Sequence, residues 1–165
     1  MYQKFFSIVL VFCLLGCVSK SEPKLSSNGG PCPSVVIRSS DEAITQSASY
    51  QQLFKIEMVG YDGYCLFDDR VGKNKAIVAP RFKITRLSES NVEDVHFSYY
   101  LETAQGPTAY LGRKTYYTSA RIAKGVMQVY HTAKEGELSI PTRHGGVDIY
   151  AGMNANRADS EFKSN

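Results

Sequence analysis

Apolar and polar residues alternate with a period of two along much of this chain. Leu53 to Val59 sets Phe54, Ile56 and Met58 on one side and Lys55 and Glu57 on the other, the pattern of a strand with one buried face. Ala76 to Leu87 repeats it with Ala76, Val78, Phe82 and Ile84. Pro80 has no N–H to give a ladder, so this strand is expected at an edge or interrupted by a bulge there. Val92 to Leu101 carries Val95, Phe97, Tyr99 and Leu101 in phase, and Thr115 to Ile122 carries Tyr116, Thr118, Ala120 and Ile122. Shorter runs at Ser34 to Arg38, Tyr64 to Phe67, Val126 to Tyr130, Glu137 to Ile140 and Val147 to Met153 complete the set. Gly60-Tyr61-Asp62-Gly63 reads as a tight hairpin turn, Asp68 to Asn74 as a polar loop and Gly106-Pro107 as a break. Asp41 to Ile44 reads as a single helical turn, and no window holds a 3.6-residue period over a helix's length. About eight short strands with turn signals between them predict an all-β sandwich.

Eleven tyrosines and no tryptophan suit pleated surfaces. Tyr99-Tyr100, Tyr110, Tyr116-Tyr117 and Tyr130 spread rings over both faces, so one set fills the core. Tyr100 and Tyr117, with Thr115, are expected to face outward. Such a stripe stacks on sugar rings or anchors a protein contact; ordinary cross-strand packing is the alternative.

The chain opens on Lys4 and an uncharged run from Phe5 to Leu15. As helix, that run spans roughly 16 Å, half of what a membrane-crossing helix needs. It reads as a helical signal peptide over residues 1–16. It ends Leu14-Leu15-Gly16-Cys17, which resembles the bacterial lipoprotein signal: cleavage between Gly16 and Cys17 and lipidation of the Cys17 thiol. Two or more acyl chains hold a protein stably on a bilayer, so the lipid bilayer is the first expected partner. Val18 in place of aspartate implies the periplasmic face of the outer membrane. Residues 17–31, rich in Ser, Gly, Pro and charge, read as a lipidated cysteine and flexible tether. The sandwich then occupies 32–153 and a polar tail 154–165.

Charge narrows the partners. A net charge of +3 with both signs scattered offers no Lys/Arg run for nucleic acid. Of four cysteines, Cys13 leaves with the signal and Cys17 takes lipid, which leaves Cys32 and Cys65. An even pair bound for an oxidising compartment reads as a disulfide, with two free thiols as the alternative. The bridge is worth roughly 3–4 kcal/mol in the chain-entropy account.

Pro31-Cys32-Pro33-Ser34-Val35-Val36-Ile37 just after the lipidation signal, and Cys65 within a strand, resemble small alphaproteobacterial envelope lipoproteins. Arg143-His144-Gly145-Gly146-Val147-Asp148-Ile149-Tyr150-Ala151-Gly152-Met153 resembles that family's terminal strand. The resemblance implies an immunoglobulin-like or fibronectin type III-like antiparallel sandwich of about seven to nine strands. It implies no activity and no catalytic residue.

Candidate chemistry is sparse. His96 and His131 fall opposite their apolar neighbours and are expected on exposed faces, and His144 sits by a turn. No histidine or cysteine spacing suggests a metal, and no cofactor is implied. Glu135 and Glu137 flank Gly136 as a possible carboxylate pair for sugar chemistry or a charged hairpin tip. The expected function is a non-enzymatic interaction or structural module of the envelope, binding another envelope protein or a glycan. The alternative is a hydrolase acting on envelope glycan or peptide through residues brought together only in the fold.

Overall fold

The computed structural model describes residues 26–27, 32–48, 50–67, 74–106, 109–141 and 146–154. The signal peptide, Gly16, Cys17, most of the tether, His144 and the tail beyond Asn154 lie outside the described residues.

Ten strands are described: β1 (Ser26–Ser27), β2 (Val35–Ile37), β3 (Ala43–Ala48), β4 (Gln51–Leu66), β5 (Asn74–Arg86), β6 (Asp94–Gln105), β7 (Ala109–Arg121), β8 (Gln128–Thr132), β9 (Gly136–Ile140) and β10 (Val147–Met153). The first sheet runs β1-β4-β5-β8, with β3 also on β4 and β9 also on β5; the second runs β2-β10-β6-β7. β1 on β4 and β2 on β10 are parallel pairs, and the other pairings are antiparallel.

The two sheets face each other as the expected β-sandwich. Phe54, Ile56, Val78, Phe82 and Ile84 point inward from the first sheet and meet Val95, Leu101 and Ile149 from the second, all fully buried. The Phe82 ring packs edge-on to Phe97 at 4.9 Å and lies 5.4 Å from Tyr99. Each such aromatic contributes about 1.5–3 kcal/mol by leaving water. The bond between Cys32 and Cys65, with Cα atoms 5.9 Å apart, ties the segment entering β2 to β4 and so straps one sheet to the other.

Pro80 lies in the middle of β5, opposite Tyr61 of β4. Its carbonyl accepts from Ala133 N at 2.9 Å, and a strand residue turns its N and O to the same neighbour. The missing N–H therefore faces the gap where β5 changes partner, from β9 over Asn74–Val78 to β8 over Arg81–Thr85.

Three local expectations are corrected. Gly60-Tyr61-Asp62-Gly63 is not a hairpin turn but the interior of β4, where the register slips between Met58 and Gly60. That bulge keeps Tyr61 and Cys65 buried after Phe54, Ile56 and Met58, and the chain reverses only after Leu66. Asp41 to Ile44 is not helical: Ala43 begins β3, and β4 pairing claims its backbone. Glu135 and Glu137 do not form a hairpin tip. Glu135 lies in the β8–β9 connection and Glu137 within β9, and both strands pair with β5 rather than with each other.

Candidate functional site

The outer faces of the two sheets differ in kind. On the first sheet, Glu57 sits between Lys55 at 2.7 Å and Lys83 at 3.0 Å, Lys75 meets Glu137 at 2.8 Å, and Arg81 lies 3.6 Å from Asp62. The lysine ammoniums hold the Glu57 and Glu137 carboxyls below their usual range. This is a solvated ladder of surface pairs, each worth little.

The second sheet carries aromatic rings and guanidiniums. Its outward positions on β6 are Ser98, Tyr100 and Glu102, opposite Tyr117, Thr115 and Arg113 of β7. Across the other edge of β6, Tyr100 faces Gly152 and Glu102 faces Tyr150 of β10. Strand pairing thus gathers Tyr100, Thr115 and Tyr117, the three residues expected outward, into one patch. They are not equally open. Tyr117 is 64% exposed and Tyr100 only 1% exposed. Thr115 is exposed, and its hydroxyl accepts from Asn154 Nδ2 at 3.3 Å.

Tyr100 is covered because its ring lies across β10. A Cβ at Gly152 would sit 2.6 Å from its hydroxyl and 2.8 Å from Asp41 Cβ, so only glycine admits the ring. The Tyr100 hydroxyl donates to Asp41 Oδ2, and the Arg113 guanidinium stacks 3.8 Å above the ring. Burial first, then the Asp41 contact, pushes the Tyr100 phenol up to about 12. The same hydrogen bond holds Asp41 below the usual carboxylate range. Beside it, Glu102, 4% exposed, accepts from Arg38 at 2.6 Å and from Arg113 at 2.7 and 2.9 Å. Arg38 in turn lies 4.7 Å over the Tyr150 ring. β2, β6, β7 and β10 are thereby locked by one layer of charge-assisted bonds. Above it stand Tyr117 and, opposite Ala104, Tyr110, 62% exposed.

The remaining candidates sort simply. His96 is exposed as expected. His131 is not: with Val129 it points toward the core, its ring 6.2 Å from Phe97 and its Nε2 2.9 Å from Thr118 Oγ1. Tyr130 takes the exposed side of β8 instead. Burial lowers the His131 pKa. A cavity of about 280 Å³ opens beside Cys32 and is lined by Phe67, Asn74, Ile140 and Asp148 among others. The buried Asn74 Oδ1 has no protein partner and suits an ordered water. No grouping of three or more His, Cys, Asp or Glu that could hold a metal occurs among the described residues.

Asp41, Glu102, Arg38 and Arg113 escape a reading of the sequence. Each is an ordinary charged residue in an outward or loop position, and only the register of four strands brings them together. Comparison of the chain with protein-family models, with curated proteins and with solved structures gives no match.

Proposed function

We propose that this chain is a lipid-anchored protein of the bacterial envelope whose sandwich acts as a non-enzymatic binding module, with the outer face of the second sheet as its recognition surface. The observation that carries the reading is the contrast between the faces: the first is dominated by ion pairs, with Tyr130 beside Lys83, while the second sets Tyr110 and Tyr117 over a buried Arg–Glu–Arg and Tyr–Asp layer. Rigid aromatic groups on a preorganised base bind with little loss of side-chain freedom. Leu14-Leu15-Gly16-Cys17 supports the anchor, and the Cys32–Cys65 bond suits an oxidising compartment. The hydrolase alternative has no observation in its favour. Asp41 and Glu102 are tied to Tyr100 and to two guanidiniums, and an Asp41 carboxyl held low is poorly placed to donate a proton.

A photo-crosslinking residue at position 117, compared with one at position 83 on the opposite face, tests the surface in intact cells. Position 117 is expected to give a discrete adduct, sensitive to protease for an envelope protein or to glycosidase for a glycan, and weakened by Tyr110→Ala. Equal labelling from both positions rejects the recognition face. The anchor is tested separately: Cys17→Ser is expected to release the protein from membranes and abolish palmitate incorporation.

A further inference from the structure

Between the two sheets, at the end where the disulfide lies, the packing is incomplete. Asn74 opens β5 and pairs with Ile140, the last residue of β9. Facing them are Val147, which opens β10, and Ser34, whose carbonyl accepts from Ile149 N at 2.8 Å. With Phe67 these residues line the cavity of about 280 Å³. Asn74 and Ile140 form its buried floor, 6% and 8% exposed, and Ser34, Pro141 and Gly146 stand exposed at its mouth. Asn74 is the group that packing does not explain. The next inward positions of β5 are Ala76 and Val78, both fully buried, yet at Asn74 the inward side chain is an amide whose Oδ1 is buried without a hydrogen bond. An acceptor in that state is destabilising unless a donor reaches it.

We propose that this cavity binds a phenol, a flat apolar ring whose hydroxyl donates to Asn74 Oδ1. Size and wall chemistry favour a ring. An apolar cavity of roughly 150 Å³ admits benzene, so 280 Å³ holds a substituted ring. The half-buried Phe67 ring and the faces of Pro33 and Pro141 give it flat surfaces to lie against. The acceptor sets the polarity. An anion would bring a further acceptor to Asn74 Oδ1 and is rejected. An ammonium would leave water for apolar walls and one uncharged oxygen, at a large cost. Asp148 also borders the cavity, but it follows the inward Val147 and precedes the buried Ile149, so strand alternation turns its carboxylate to the outer face. A neutral O–H donor therefore fits. Water occupies the acceptor in the free protein, and a ligand hydroxyl replaces it without loss of the hydrogen bond. The inference rests on the cavity alone and does not depend on the proposed anchor or recognition face.

The test uses the full chain purified in mild detergent, with backbone amide resonances reporting the site. p-Cresol is expected to shift the amides of Asn74, Ile140 and Val147 saturably, while those of Phe54 and Arg86, paired at the far end of β4 and β5, stay in place. 4-Fluorotoluene has nearly the same shape but no donor, and is expected to bind about tenfold more weakly. N-acetyl-tyrosinamide carries the same ring on a peptide backbone. Shifts at the same amides identify a tyrosine side chain as the ligand, whereas a response to p-cresol alone identifies a free phenol. Asn74→Leu keeps a similar volume and removes the unpaired acceptor, so it is expected to fold and to bind p-cresol and 4-fluorotoluene alike. Equal affinity of the wild type for those two probes overturns the proposal, whether or not the variant folds. So does the lack of a saturable shift with p-cresol, or a tenfold preference that survives in Asn74→Leu.

Discussion

At the scale of single residues, Arg86 closes one end of the sandwich. It is 5% exposed, and its guanidinium donates to Ser90 O, Val92 O, Ile122 O, Ala123 O and Val126 O at 2.9–3.5 Å, with the Phe54 ring 5.1 Å away. Five carbonyls from two connections thus close on one side chain at the end of β5. Arg86→Met fills similar volume but leaves those carbonyls unpaired, and is expected to lower unfolding free energy by about 3 kcal/mol in urea titrations. Arg86→Lys keeps a charge without the fork and is expected to recover only part of that. Nothing in the sequence marks Arg86, since an arginine closing a strand is ordinarily a solvated end. Phe54, Ile56, Phe82 and Ile84 were legible because burial alone sets their phase. Tyr99 and Tyr100 give a second prediction. Both phenols are pushed up to about 12, chiefly by burial, so the folded state favours the neutral form. Their contribution is whole below pH 10, the usual tyrosine value, and fades as pH climbs toward 12. Urea midpoints are expected to fall over that window, and Tyr100→Phe to make the fall shallower.

At the scale of strands, a period of two reports which face a residue takes but not how a strand ends or what it pairs with. β4 and β5 were legible face by face, yet Gly60 and Gly63 read as a turn because glycine serves a bulge as readily as a reversal. The bulge at Met58 is visible only through pairing with β5. β8 shows the converse. A run beginning at Val126 suggests one phase, but the strand begins at Gln128 and turns His131 inward with Val129. The consequence is measurable. Burial lowers the His131 pKa, so the folded protein favours neutral imidazole and the interaction is whole above pH 6.5. Stability is expected to decline as pH falls below that value through the lower folded one. His131→Asn retains a partner for Thr118 without titrating, and is expected to flatten the stability profile between about pH 7 and pH 5. An unchanged slope would place the acid sensitivity elsewhere.

At the scale of the whole molecule, the sandwich was legible and its outer site was not, for one reason. Burial of alternate residues determines that two sheets form, whereas the register of β2, β10, β6 and β7 determines that Arg38, Glu102, Arg113 and Tyr100 meet. Register is a property of pairs of strands, and no single stretch of chain contains it. The disulfide is the long-range link that could be read early, because only two cysteines remained to pair. β4 spans sixteen residues, about 50 Å at strand rise. Cys65 lies near one end of it and Phe54, under Arg86, near the other. Two fastenings therefore hold opposite ends of the sandwich. The Cys32→Ser, Cys65→Ser double variant is expected to lose roughly 3–4 kcal/mol but to keep its fold, since Phe54 and Phe82, the latter opposite Met58, sit farther along β4 from Cys65 in the same core. Hydrogen exchange should localise the loss: amides of β2 and of β4 around Cys65 open faster, while those around Phe54 and Arg86 shift only with global stability. Uniform acceleration along all of β4 would mean that the sandwich unfolds from both ends as one unit, and that the two fastenings do not act independently.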